Sequence, residues 1–441
     1  MNPLVGIITL AVILLVVFLP RRWAVLAVVS GVCYVTQSEF LSLSGIDFTP
    51  IRFIVLAGFI RVILRKEFSF SKLNKIDKCL LIFSSVYLIV YLLRSRINPG
   101  SHSLPMYRLG QFCEAMLTYF TFRGLLKNPS TFRQFLNDMV FLILPFTLFM
   151  INESVTGKNI FSIMGGVSEI PRFRDGHYRC QASFRHAITA GTFGATLVPL
   201  FIGLAYIEVK RVWAVIGIIS GTLITISSHS SGPLMAFMAG VIAWMVWPLR
   251  RRMKMVLWAI VGFFVLLQLV MKVPVWFLHS KISGIIGGDG FHRSKLIDSF
   301  IINFQDWWLM GMPDEGTANW TATKMRWGGV DVTNEYVAVG INGGLISLIL
   351  YIWLLVSCYQ LMGRAMKKIR RIHHNERRNE VLLWAVGCVL FAHIANLTAV
   401  TYFDQLWAMW YMLLAIISGL TGHYLGLKPG LVRKRFIKKG V

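Results

Sequence analysis

MVLWAIVGFFVLLQLVM, residues 255–271, runs straight into the polar segment 272–335, and the contrast at that boundary decides how the chain is read. A helix needs roughly 20 apolar residues to cross a hydrocarbon core about 30 Å thick, so a single run of this length could also be a buried helix of a soluble protein. Repetition decides between the two. Comparable runs fall at about 3–20, 23–36, 51–64, 79–93, 107–122, 134–151, 187–207, 212–227, 233–248, 336–362, 381–401 and 406–425. Each is predicted to be helical, because only helices and closed barrels satisfy backbone groups in lipid and barrel strands would be about half as long.

Composition agrees. The 441 residues are 56% hydrophobic and 15% charged, with a mean hydropathy of +0.62. Soluble domains carry about 25% charged residues. The expected fold is therefore all-α, a polytopic transmembrane helical bundle of 12–13 spans with a long outward-facing loop domain. Its segments are 1–185 (N-terminal helices and outward loops), 186–271 (central helices), 272–335 (the large loop) and 336–441 (C-terminal helices and basic tail). Run 3–20 has no basic segment before it and no small-residue cleavage site after it, so it reads as a retained span.

A net charge of +25 would point to nucleic acid in a soluble protein. Here the basic residues cluster in short connections, as the positive-inside bias expects, and no nucleic-acid partner is implied. Segments 21–22, 65–78, 123–133, 210–211, 250–254, 364–378 and 428–439 hold about 29 of the 45 Lys and Arg residues. They alternate with 37–50, 94–112, 152–185, 228–231, 272–335 and 403–405, which should face outward, to the periplasm if the chain lies in a bacterial inner membrane. His373 and His374 fall in a basic connection and read as solvated. The six cysteines show no C-x-x-C pair, so neither a disulfide framework nor a zinc site is indicated, and no metal or cofactor motif appears.

Two outward segments keep basic residues that topology disfavours: Arg172, Arg174, Arg179, Arg185, Arg293, Lys295, Lys324 and Arg326. An anionic ligand would account for them. Pairing with Glu169, Asp175, Asp289, Asp298, Asp306, Asp314 and Glu335 would too, and an interfacial arginine can snorkel to lipid phosphate. Residues 291–310 read as an amphipathic helix, with Asp289 in a glycine-rich turn as its cap and Arg293 on its inward face. Arg179, Arg185 and His186 arrive where the chain enters the seventh run. The eleventh begins at Thr333-Asn334-Glu335-Tyr336, where Asp331 or Thr333 could cap a helix whose start favours phosphate. Arg52, Arg61 and Glu114 lie inside runs; an arginine costs roughly 2.5–3.5 kcal/mol at mid-span, so all three should face the bundle interior or an interface.

At three of these segments the chain resembles the O-antigen ligase and polysaccharide polymerase superfamily. An R-x-x-[GA]-x-F-x-H-x-I-x-x-G stretch is matched by Arg179, Ala182, Phe184, His186, Ile188 and Gly191. A loop helix beginning His292-Arg293 leads to the turn Trp308-Leu309-Met310-Gly311, and Asn334-Glu335-Tyr336 precedes Gly340-Ile341-Asn342-Gly343-Gly344. The three follow the family's order. The chain departs from the pattern at Thr333, where ligases of the family place a histidine, and this tilts the expectation toward a polymerase.

The resemblance implies a GT-C-like, metal-independent glycosyltransferase with no cofactor. It would polymerise polyprenyl-pyrophosphate-linked repeat units on the outer face of the membrane, with lipids and optionally a chain-length regulator as partners. Arg179 and Arg293 would clamp the pyrophosphate with Arg185 assisting. Asn334, Thr333 and Lys295 would help bind it, and Glu335, His292 or His186 would take the acceptor proton. A ligase acting on a lipid-anchored acceptor and a multispanning transporter are the alternatives.

Overall fold

All thirteen apolar runs are α-helices, since each backbone donor that lipid would leave unpaired is satisfied within its own segment. The computed structural model describes residues 1–43, 46–97, 105–209, 211–325, 328–372 and 377–426. Lys210, Arg326, His373, His374 and the basic tail lie outside them, and so do their expected roles. The first six helices are α1 (Pro3–Phe18), α2 (Arg21–Tyr34), α3 (Pro50–Leu64), α4 (Lys75–Ile97), α5 (Pro105–Leu125) and α6 (Pro129–Thr156). Then come α7 (Ala187–Ile207), α8 (Val212–Ser227), α9 (Ser231–Met245) and α10 (Met253–Val270). The polar segment folds as three short helices, α11 (Leu278–Ile286), α12 (Gly290–Ile302) and α13 (Phe304–Trp307). The chain finishes with α14 (Glu335–Ile372), α15 (Arg377–Leu397) and α16 (Gln405–Gly426).

Seven helices, α4, α6, α7, α10, α14, α15 and α16, are long and apolar enough to cross a membrane, while α1, α8 and α9 are apolar but shorter. The other three bundle helices carry charges, several of them in ion pairs. Arg61 is 2% exposed, meets Glu67 at 3.2 Å and donates to the carbonyls of Val16 and Leu19. Arg52 meets Glu114 at 3.0 Å. Asp77, fully buried, accepts from Tyr119 and Ser418 and pairs with Arg123, so this carboxylate binds α4, α5 and α16 together. Small residues set the packing at the centre. α7 lies against α8, α9 and α15, and Gly194 of α7 faces the Gly221 carbonyl of α8, an approach that any larger side chain would block.

Among the described residues, sheet is confined to two hairpins, Leu41–Leu43 with Ile46–Phe48 and Phe173–Arg174 with His177–Tyr178. The second turns on Asp175-Gly176, both at positive φ, as a two-residue hairpin loop requires.

The polar segment is docked on the bundle and shares its core. Leu296, Phe300, Trp307, Met312 and Trp320 form one cluster with Val337 and Ile341 of α14. The predicted 291–310 helix is interrupted: α12 ends at Asn303, whose side chain donates to the Ser299 carbonyl at 2.7 Å, and α13 follows as a separate turn. The predicted eleventh run is broken as well. Gly344 sits at φ 69°, and a Cβ there would lie 2.6 Å from the Leu309 carbonyl oxygen. The loop backbone fills the break. Leu345 N–H donates to the Trp308 carbonyl, and the Ile341 carbonyl accepts from Met312 N–H and from Arg94. The Trp308–Gly311 turn and the glycine-rich start of α14 therefore act as one joint.

Candidate functional site

A chamber of about 870 Å³ lies among the starts of α3, α5, α14 and α16, under the 317–332 stretch of the polar segment. All of its walls come from one side of the bundle, the side the charge pattern assigns outward. Nine charged or titratable side chains are among its lining residues, Arg52, Arg108, Arg185, His186, Asp47, Glu114, Asp331, Glu335 and Asp404, along with Tyr87, Tyr107 and Tyr402. Glu335 opens α14 and is 7% exposed. Its Oε2 accepts the Tyr402 N–H at 2.9 Å; Oε1 has no hydrogen-bond partner among the described residues. Arg185 meets Asp404 at 3.6 Å, and burial pushes the Asp404 carboxyl up despite that pairing.

His186 lines the chamber and caps α7, its Nδ1 accepting the Ile188 N–H at 3.2 Å. Burial, with Arg179 and then Arg172 adding to it, pulls the ring down to about 4, so it is neutral at pH 7 and keeps that acceptor.

Arg179 and Arg293 are not among the chamber's lining residues. Each is held by one of the two consecutive serines at the start of α9. Arg179 Nη2 donates to Ser230 Oγ at 2.7 Å and Arg293 Nη1 to Ser231 Oγ at 3.4 Å. Two loops bring them there. The 173–178 hairpin stacks His177 on His229, with centroids 4.4 Å apart, and Cys180 N–H bonds the Ser227 carbonyl. On the other side Gly288, at φ 94°, passes so close to Ser231 that a Cβ would collide with its side chain. Neither arginine has a carboxylate in ion-pair contact among the described residues. Burial lowers both guanidinium pKa values; Arg174 and Arg172 add to this at Arg179, and Asp289 opposes it at Arg293. Partly buried cations without a counter-charge, beside a helix start, form a surface on which an anion is stabilised. His279, pulled down to about 4 by burial and by Arg293, borders the same positive field.

The remaining sequence-predicted residues have other partners. His292 is 5% exposed; its Nδ1 accepts the Thr323 N–H at 2.9 Å and its Nε2 lies 2.8 Å from the Asp331 carbonyl, so both ring nitrogens brace the loop. Asn334 caps α14, accepting from Tyr336 and Val337 N–H, and donates to the Thr398 carbonyl at 3.0 Å. The cap is thus Asn334 and neither Asp331 nor Thr333, because only its side chain lies at the residue preceding the first helical turn. Thr333 Oγ1 is buried with no partner. Lys295 rests over the rings of Phe277 and Phe291, 5.8 and 5.9 Å from their centroids. Among the described residues no group of three His, Cys, Asp or Glu side chains gathers as a metal site would.

Arg108 is the chamber residue that sequence reasoning passed over. It lines the chamber together with Glu335. In the sequence it is one more basic residue of the 94–112 connection. The signal it carries is the one that singled out Arg179 and Arg293, a cation in a connection that the charge pattern assigns outward. No protein-family model matches the chain, and no curated protein matches it.

Proposed function

We propose that the protein is an integral-membrane glycosyltransferase of GT-C-like architecture, with its thirteen bundle helices embedded in a bacterial inner membrane. It extends a glycan on the outer face from a polyprenyl-pyrophosphate-linked donor. The observation that carries this reading is the adjacency of two unlike sites. Arg179 and Arg293, without carboxylate partners, flank a chamber roomy enough for sugars that contains a carboxylate with an unclaimed oxygen.

The chemistry follows from that adjacency. An acceptor hydroxyl in the chamber attacks the anomeric carbon of the donor, its proton passes to Glu335, and the sugar–phosphate bond breaks. Charge then collects on the departing diphosphate. Guanidinium groups fixed in a partly desolvated place stabilise that charge without reorganising, as water would have to. The lipid tail remains in the bilayer beside α9 and α10, and no residue of α10 is buried within the protein.

The break in α14 favours a second reading, a transporter, because transporters place binding sites at discontinuous helices. Here the break is filled by the Leu309 and Trp308 carbonyls and leaves no room for a solute. The deciding experiment incubates purified protein with lipid-linked repeat units and resolves the products by electrophoresis. A growing ladder supports polymerisation, a single transfer to added acceptor lipid marks a ligase, and no product from an intact, monodisperse protein overturns the reading.

A further inference from the structure

Arg108 is the one chamber arginine, among the described residues, without a carboxylate in ion-pair contact. Arg52 has Glu114 at 3.0 Å and Arg185 has Asp404 at 3.6 Å. The Arg108 partners are neutral: Nη1 donates to Gln111 Oε1 at 2.9 Å and Nη2 to Asn342 Oδ1 at 2.7 Å. Its guanidinium carbon lies 4.7 Å from the Tyr91 ring centroid, with Tyr87 and Tyr107 at 5.8 and 5.9 Å. Amide oxygens and aromatic faces orient a guanidinium and favour its charge, but they do not cancel it. A cation positioned in this way in a partly desolvated chamber is stabilised when an anion joins it.

The rest of the wall suits a sugar. Tyr107, Tyr402, Phe403 and Trp407 offer flat apolar surface, while Asp331 and Glu335 offer acceptors for hydroxyl groups. On the glycan reading the diphosphate is assigned to Arg179 and Arg293, which are bonded to Ser230 and Ser231. A single guanidinium fork matches one planar carboxylate.

We propose that the chamber binds a carboxylate-bearing sugar, a hexuronate or a residue of like chemistry, with its carboxylate on Arg108 and its ring against the aromatic wall. This rests on the glycan reading above and narrows it to acidic repeat units. The charged contact sets specificity. A neutral sugar makes no charge-assisted pair with Arg108, a loss that corresponds to about tenfold or more in affinity.

The test measures binding, by calorimetry on the full-length protein in detergent, of a galacturonate trisaccharide, a galactose trisaccharide and inorganic pyrophosphate. The acidic trisaccharide is expected to bind about tenfold or more tightly than the neutral one, and Arg108→Gln to abolish that preference. Asn342→Asp gives a second route. It sets a carboxylate on the Arg108 Nη2 while keeping the arginine, so it should abolish the preference even if Arg108→Gln fails to fold. Equal binding of the two trisaccharides overturns the proposal, as does a preference that survives both substitutions. A loss confined to pyrophosphate overturns it too, since it would assign Arg108 to the diphosphate. Failure of the two readings is distinguishable: Arg108-dependent uronate binding without glycan extension removes only the transferase, and extension without acid preference removes only the Arg108 assignment.

Discussion

The backbone N–H of Tyr402 donates to Oε2 of Glu335 at 2.9 Å, which joins the start of α14 to the connection between α15 and α16. The bond fixes one carboxylate oxygen and leaves the other bordering the chamber. The Tyr402 hydroxyl lies 2.6 Å from Nδ1 of the buried His393, so the residue that orients Glu335 is itself anchored in the bundle.

Glu335→Gln is expected to keep the fold, because an amide oxygen can still accept from Tyr402. Transfer should fall by about 10²–10⁴-fold if the carboxylate takes the acceptor proton. Product ladders and thermal melting on the same preparation test this. Near-normal elongation with an unchanged melting temperature would remove Glu335 as the base.

Arg179→Ala and Arg293→Ala should each raise the transfer barrier by about 2.7–4 kcal/mol, the scale of losing one preorganised donor to a developing anion. Lysine should restore little at either position, since it offers a point charge in place of a planar fork. Single-turnover rates with saturating donor give the measurement, and full activity in both alanine variants would sink the diphosphate assignment.

Acid should destabilise the folded state through His186 and His279. Both rings are held down to about 4 in the fold, mainly by burial, against an unfolded value of about 6.5. A depressed folded pKa means that the unfolded chain takes up protons first as pH falls. The histidines' contribution is therefore fully present above about pH 6.5 and drains away as pH falls toward 4. His186→Asn keeps a side chain able to cap α7 and removes one titrating group, so melting temperatures across this window should show a shallower slope than the parent. An unchanged slope would mean that His186 is not held neutral.

Gly344→Ala should loosen the joint between loop and bundle. It places a Cβ at φ 69° and 2.6 Å from the Leu309 carbonyl, where strain of order 1–3 kcal/mol is expected. Limited proteolysis near 308–312 should speed up along with a lowered melting temperature, and resistance equal to the parent would show that the break tolerates a side chain.

His292 shows how a residue type can mislead. A histidine in a polar loop of an apolar protein invites a chemical role, yet its two ring nitrogens face the Thr323 N–H and the Asp331 carbonyl, contacts that no spacing in the chain announces. Arg108 misled in the other direction. Its importance lies in Asn342, a partner 234 positions away, and in the lack, among the described residues, of a carboxylate in ion-pair contact.

What the sequence determined by itself is the set of helices. An apolar run must satisfy its own backbone in lipid, and that demand is local, so thirteen runs became thirteen helices, with only α14 reaching well past its predicted end at 362, to Ile372. The tertiary structure alone decided the break at Gly344, the bonds that tie Arg179 to Ser230 and Arg293 to Ser231, and the chamber that Arg108 and Glu335 both line. Each of these depends on which distant backbone or side chain fills the space beside a residue, and packing settles that only once the helices have assembled.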